Sequence, residues 1–344
     1  MRQAIDRVIA SGWFVLGPEV QAFEREFAQA SGAARAVGVG NGTDAIALAL
    51  RALGIGPGDE VITAAISAAY TALAVLMVGA RPVFADIDPL RYTIDPDAAA
   101  SAVTSRTRAI VPVHLYGQAA DMEAIARIAS RHNLAIVEDC CQAHLATGAG
   151  RAVGTFGAAG AFSFYPTKNL GALGDGGAVV TGDHALADRI ARLRNGGQID
   201  RYRHQETGVN SRLDEMQAAI LRARLPLLAN WTARRRSRAA AYRDRLAGAA
   251  ATPPFEADSG HVYHLFVVRH ARRNALQAHL ASKGIETLVH YPLPLPEQPA
   301  LAGTGPAACP RAAAACAEVL SLPLHPGLGD REIADVAAAI RDFQ

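Results

Sequence analysis

Val37-Gly38-Val39-Gly40-Asn41-Gly42-Thr43-Asp44 runs from a short apolar strand through a glycine-rich turn into the start of a helix. Residues 45–53 then carry helical periodicity. The same strand-then-helix rhythm continues downstream. Candidate strands lie at 36–39, 60–63, 81–85, 109–112, 134–138, 159–164 and 177–181. Helix-length segments separate them; the clearest is 122–132, and Asp97 is expected to cap another over 97–103. Alternation of this kind predicts an α/β fold, a mostly parallel sheet covered by helices.

After Asn210-Ser211-Arg212-Leu213-Asp214 the character changes. Residues 215–246 read as helix, interrupted near Pro226, and link two lobes. A smaller αβ unit follows Pro253: a strand at 264–268, a helix at 271–283, a strand at 287–290, a proline-rich loop at 292–299 and a helix from Asp330 to the end. The expected division is a large domain over 1–228 and a linker helix with a small C-terminal domain over 229–344.

A chain of 344 residues, half of them apolar, is long enough for two domains with a large core. Its formal net charge of +2 gives no reason to expect nucleic acid or a membrane surface as partner. The cluster Arg234-Arg235-Arg236-Ser237-Arg238 reads as the solvated face of a long helix. No apolar run reaches the length of about 18 residues that a membrane span needs. The start, Met1-Arg2-Gln3-Ala4-Ile5-Asp6, lacks the apolar core of a signal peptide. Cys140, Cys141, Cys309 and Cys316 have the spacing of neither a zinc site nor a redox motif, and the adjacent pair is a poor disulfide candidate. A cytoplasmic, reduced protein without a metal is expected.

Three elements carry chemistry. Gly42-Thr43-Asp44 at a helix start offers backbone N–H groups and a positive dipole end, which suit a phosphate. Leu134-Ala135-Ile136-Val137-Glu138-Asp139 is an apolar strand ending in carboxylates, placed where open α/β sheets put ligand groups. Phe162-Ser163-Phe164-Tyr165-Pro166-Thr167-Lys168-Asn169-Leu170-Gly171 brings a lysine from a strand into a turn. A phosphate cradle, a carboxylate and a lysine, in that order, suit pyridoxal phosphate. Lys168 supplies the primary amine that an aldehyde cofactor needs for an imine, and Asp139 keeps the pyridine nitrogen protonated. Glu138 should face the other side of the sheet. Gln142 is placed for the ring's phenolic oxygen and Ser163 for the phosphate. His144 fits a structural histidine as well as a role against the cofactor face.

These stretches resemble the DegT/DnrJ/StrS group, sugar aminotransferases of pyridoxal phosphate fold type I. The resemblance runs through Ser11-Gly12-Trp13-Phe14-Val15-Leu16-Gly17-Pro18-Glu19, Asn41 to Ala45, Pro112-Val113-His114-Leu115-Tyr116-Gly117, Glu138 to His144, and Phe162 to Gly177. It continues through Gly208-Val209-Asn210-Ser211-Arg212-Leu213-Asp214-Glu215 to His290-Tyr291-Pro292. It implies Lys168 as the imine lysine, Asp139 on the pyridine nitrogen, Gln142 near the phenolic oxygen, and Gly42, Thr43 and Ser163 on the phosphate. It also implies a homodimer with shared sites, in which Asn210 reaches the phosphate of the neighbouring subunit. The substrates implied are a nucleotide-linked keto sugar and an amino-acid donor, with glutamate expected. The setting implied is deoxyamino-sugar synthesis for cell-surface polysaccharide. His204, His290 and Tyr291 are candidates for sugar or donor contacts, each matched by a structural alternative. The wording around Tyr202-Arg203-His204 and Asn210-Ser211-Arg212 resembles members that aminate C3; members acting at C4 more often have tyrosine at the place of Ser211.

The chain also departs from the family pattern. Members carry a further segment ahead of Ala4, so a truncated or misassigned start is expected. The aromatic that stacks on the cofactor ring is expected near Ala68; on a strand-like segment Tyr70 would return to the same face and replace it. Cys141 and Leu145 replace small residues, and Pro296 stands where many members have histidine. The rival readings are a sugar dehydratase, whose family members replace the lysine with histidine, and a non-catalytic sensor. Retention of Lys168 speaks against the first, and nothing in the site is visibly broken to favour the second.

Overall fold

The computed structural model describes residues 1–253, 255–304 and 308–343. Seven strands form the main sheet: β1 (Arg35–Val39), β2 (Glu60–Ala64), β3 (Arg81–Ala85), β4 (Thr107–Val111), β5 (Ala135–Asp139), β6 (Ala159–Ser163) and β7 (Gly177–Thr181). Their order across the sheet is β1-β7-β6-β5-β4-β2-β3. β3, β2, β4, β5 and β6 run parallel, and β7 pairs antiparallel with both β6 and β1. Every strand expected for this sheet is present, with ends shifted by at most two residues.

Both faces of the sheet are covered, which is why the middles of its strands are apolar. Val61, Val111 and Val137 face one layer, packed with Ile46, Leu48 and Leu50 of helix α3 (Gly42–Ala52). Ile62, Ile110 and Ile136 face the other, with Met122 and Ile125 of a helix at Met122–His132. Asp121 caps that helix by accepting from the Ala124 N–H. The helix expected to begin at Asp97 spans Pro96–Ser101 instead, and its cap is Asp95, whose side chain accepts from the N–H groups of Asp97 and Ala98. Proline at the first helical position explains the earlier start.

Two N-terminal helices, α1 (Arg2–Ser11) and α2 (Pro18–Ala30), lie against a later helix at Glu215–Arg224. That helix breaks at Leu225–Leu227, around Pro226, and a long helix at Leu228–Leu246 follows. The C-terminal lobe has its own apolar cluster, including Tyr242, Phe266, Leu320 and Ile340. It is built on an antiparallel pair, Phe266–Arg269 with Val319–Leu322. The strand expected at 287–290 is absent; that stretch makes one bridge, Leu288 to Ser321. The closing helix spans Asp330–Arg341, and residue 344 lies outside the described residues.

The arginine run is not a solvated face. Arg234 is exposed, but Arg235 is buried and donates to the carbonyls of Tyr263, His264 and Leu324. Arg236 donates to the His261 carbonyl and Arg238 to Asp330. Among the described residues, no helix is long and apolar enough to cross a membrane.

Candidate active site

The segments of interest meet at the carboxyl ends of the parallel strands, where backbone groups are left over and side chains converge. β1 leads into Gly42, β2 leads into Ser67 and Thr71, β5 ends at Asp139 and β6 ends at Ser163. The reversed strand β7 begins at this same edge. A Cβ at Gly177 would lie 2.4 Å from the Asn41 backbone, so only glycine allows the approach.

Helix α3 begins at Gly42, three residues earlier than its periodicity indicated. Asn41 caps it by accepting from the Asp44 N–H. The N–H groups of the first turn have no partner within the helix, and the dipole end is positive. A Cβ at Gly42 would lie 2.7 Å from both Cys141 Sγ and Ser163 Cβ, so three segments converge on this point. The cradle fits a phosphate: N–H donors at a helix start, a hydroxyl from Ser163, and a bare glycine.

Asp139 is buried and held at both oxygens. Oδ1 accepts from the Cys141 N–H at 3.1 Å, and Oδ2 accepts from Thr71 Oγ1 at 2.7 Å. Each oxygen retains a lone pair for a ring N–H. Glu138 faces the other way. Its carboxylate accepts from the N–H groups of Gly154, Phe156 and Gly157. His114 Nδ1 accepts from the Ala120 N–H, so the ring proton sits on Nε2 and is donated to Glu138 at 3.0 Å. Cys140 lies close to this pair. The Glu138 oxygens are already engaged by these four donors, which makes the group a structural clamp rather than a cation site.

Gln142 has its amide fixed by two neighbours. Oε1 accepts from the Tyr116 N–H at 2.7 Å, and Nε2 donates to the Tyr291 hydroxyl at 2.9 Å. One Nε2 proton is left to donate into the site. Burial pushes the Tyr291 hydroxyl up to about 12, so it remains protonated. His290 binds Ser321 Oγ through Nδ1 at 2.8 Å, and Tyr116 donates to the His290 carbonyl. Burial, then the charge of Lys168, lower the pKa of His290.

Lys168 sits in the turn after β6, its N–H bonded to the Tyr165 carbonyl. Its charge is also felt by Cys141, His144 and His264, which belong to separate segments of the chain. Burial, then Lys168, push His144 down to about 3. His144 packs against Phe162 and Phe164 as a neutral ring. Next to the lysine, Asn169 donates to the Val262 carbonyl and presents Oδ1 to His264 Nδ1 at 3.3 Å, tying the lysine turn to the chain entering the C-terminal lobe.

Tyr70 does not sit on a strand. It opens a helix, Tyr70–Met77, and is 65% exposed. The two-residue return to one face therefore does not apply, and its neighbour Thr71 is the residue that turns to Asp139. Asn210 and His204 come together elsewhere, lining a cleft of about 590 Å³ with Gly196, Glu206 and Val209. Lys168, Asp139 and Gln142 do not line it. His204 is exposed on a short hairpin, Gln198–Asp200 with Arg203–His204, and contacts the Gly196 carbonyl through Nδ1. Asn210 is exposed while Ser211 is buried. Ser211 Oγ accepts from the Gly40 N–H and donates to Asp44 Oδ2 at 2.6 Å, in the cradle of its own chain. A cleft of about 1600 Å³ opens on the C-terminal lobe and includes His290 but not Lys168 or Asp139.

The sequence reading missed Thr71, Ser67, Asn169, His264 and the structural partner of Glu138. Ser67 and Thr71 carried one usable sign, two hydroxyl residues four apart at the end of an apolar strand. The others meet only through the tertiary fold.

The model of the DegT/DnrJ/EryC1/StrS aminotransferase family matches residues 1–341. The chain belongs to that family. It is 49% identical over 344 residues to the dTDP-3-amino-3,4,6-trideoxy-alpha-D-glucose transaminase of Streptomyces venezuelae, covering 99% of this chain and 91% of that one. Among solved structures, S. venezuelae DesV in complex with a ketimine intermediate superposes with a TM-score of 0.97 at 49% identity, over 99% of this chain and 93% of that one. NtdA from Bacillus subtilis with bound cofactor PMP superposes with a TM-score of 0.91 at 32% identity, over 99% and 81%.

Proposed function

We propose that the protein is a pyridoxal-phosphate-dependent aminotransferase that moves an amino group from an amino acid, glutamate being the expected donor, to C3 of a nucleotide-linked keto-deoxysugar. The observation that carries this reading is the convergence of the Gly42 cradle, the doubly held Asp139 carboxylate and Lys168 at one edge of the sheet. Similarity to the S. venezuelae transaminase supports the substrate class and the C3 position.

When bound, the cofactor supplies an aldehyde carbon and an electron-withdrawing ring, which together let one site hold an amino group between two substrates. The chain's own residues do the rest. Gly42 and Thr43 N–H groups and Ser163 Oγ bind the phosphate. Asp139 holds a proton on the ring nitrogen, and Gln142 Nε2 donates to the ring oxygen. Lys168 Nζ would supply the amine for the aldehyde carbon and a group able to carry a proton beside it. His290 and Tyr291 border the same site for the sugar or donor.

The reading includes a homodimer in which Asn210, and His204 beside it, serve the site of a second copy. Support comes from their exposure and from the cleft they line, to which Lys168 does not contribute. Trp13, Phe14 and Leu173 are also more than half exposed near the start of the helix at Glu215–Arg224, an apolar surface suited to a partner. The division at 228/229 is supported by the separate apolar cluster of the C-terminal lobe. A cytoplasmic setting completes the proposal.

One experiment tests the core. Purified protein is expected to show a visible absorption band that shifts on adding glutamate, and the resulting form should aminate nucleotide ketosugars, read by mass. A colourless protein, or a band indifferent to every amino acid offered, overturns the reading.

A further inference from the structure

Thr71 Oγ1 lies 2.7 Å from Asp139 Oδ2, and Ser67 Oγ lies 3.2 Å from Thr71 Oγ1. Both hydroxyl residues are almost free of solvent, at 1% and 3% exposure. A hydroxyl has one proton to donate and an ionised carboxylate has none. The Thr71 proton is therefore used on Asp139, and the Ser67–Thr71 contact must use the Ser67 proton. The direction Ser67 to Thr71 to Asp139 follows from that count. With the Cys141 N–H on Oδ1, both carboxylate oxygens are held and the plane of the carboxylate is set by the chain itself.

We infer that Thr71, backed by Ser67, is a positioning residue that sets the plane and proton affinity of the Asp139 carboxylate toward the ring nitrogen of the cofactor. The inference rests on the reading of Asp139 as the ring partner. Donors on a carboxylate favour its charged form and make it a weaker base. A weaker base leaves the shared proton on the ring nitrogen, the state in which the ring withdraws electrons. Without the Thr71 hydroxyl, Oδ2 loses its donor, the carboxylate is held only through Oδ1 by the Cys141 N–H, and its contact with the ring nitrogen is weakened. Thr71 has no capping duty to explain its burial, because the N-cap of its helix is Ala69 and no side chain caps that end.

The test uses the full chain freed of cofactor and measures Kd for pyridoxal phosphate and for the analogue in which C–H replaces the ring nitrogen. Thr71→Val keeps shape and removes the donor. It is expected to weaken binding of pyridoxal phosphate about tenfold, the scale of a hydrogen bond to a charged group. Binding of the carbon analogue should change by less than about twofold, because the analogue has no nitrogen for Asp139 to address. Thr71→Ser restores the hydroxyl and should return the parent behaviour. Ser67→Ala, which leaves the Thr71–Asp139 contact in place, should cost about threefold and only with pyridoxal phosphate; it carries the test if Thr71→Val does not fold. Equal losses for both ligands, in either variant, or no loss for either, overturn the inference. A parent protein that binds the two ligands equally overturns instead the assignment of Asp139 to the ring nitrogen.

Discussion

The ring end and the loop end of the proposed cofactor seat are built differently. At the ring end, Asp139, Gln142 and Thr71 are buried, and their inward-facing polar atoms are held by bonds within the chain. At the loop end, Asn210, His204 and Tyr202 stand in solvent on a short hairpin and the segment after it. Ser211 joins the two, being buried in its own cradle while its neighbour Asn210 points outward. The proposed seat thus pairs a buried, internally bonded end with one that faces solvent.

The largest expected effect lies where these ends meet. Lys168→Ala should abolish turnover, and borohydride should fix cofactor to a peptide containing Lys168 in the parent and to none in the variant. Label on Lys283 would remove the lysine from its role and the comparison with it. Next comes the ring end alone. Asp139→Asn keeps the shape and removes the charge, so kcat should fall by about 10²–10³-fold while cofactor still binds, since the lost interaction strengthens as charge flows into the ring. A change of only a few-fold would show that the dry carboxylate is not the ring partner.

The loop end is tested by complementation. Asn210→Asp places a carboxylate against the phosphate and should weaken cofactor binding by like-charge repulsion. Co-expressed with Lys168→Ala, it should restore about a quarter of parental activity, because half of randomly formed dimers are mixed and half of their sites are intact. A dead mixture in which mixed dimers are shown to form would place Asn210 in its own chain's site.

The smallest effect measures what a dry interior costs. His144 and His261 are both pushed down to about 3, first by burial. Both fold neutral, so between about pH 6.5 and 3 the unfolded chain binds protons that the folded one does not. Stability is present above about 6.5 and lost as pH falls, by about 1.4 kcal/mol per unit for each histidine. Urea unfolding from pH 7 to pH 5 should show that slope, and His144→Gln should reduce it by one histidine's share. A slope unchanged by the substitution would mean that His144 titrates normally.

The sheet was legible because its seven strands are locally distinctive: apolar runs between glycine turns, buried on both faces. Lys168, Asp139, Gln142 and Gly42 stood out as candidates for a similar reason, each lying at or a few residues past a strand end or helix start. The errors have local causes too. Asp97 and Asp95 are both adequate caps, and Pro96 decided between them. The apolar stretch at 287–290 looks like a strand in isolation, but of its residues only Leu288 makes a β-bridge. Tyr70 was placed with a period of two in a segment that forms a helix. Arg235 was taken for a surface charge because nothing nearby in sequence reveals three carbonyls from residues 263, 264 and 324. The relay behind Asp139 and the Glu138–His114 clamp are contacts between segments far apart in the chain, and periodicity carries no information about them.

Glu215 has a consequence for how the chain is made. Its carboxylate accepts from the N–H groups of Gly17, Glu19 and Val20, satisfying the start of α2 from about two hundred positions downstream. During synthesis, α2 emerges from the ribosome long before its cap exists. The strands that build the ring end can pair meanwhile, whereas the N-terminal helices wait for the helix at Glu215–Arg224 to arrive. The start of α2 is thus locked only when the helix at Glu215–Arg224 is in place, closing over a sheet already formed.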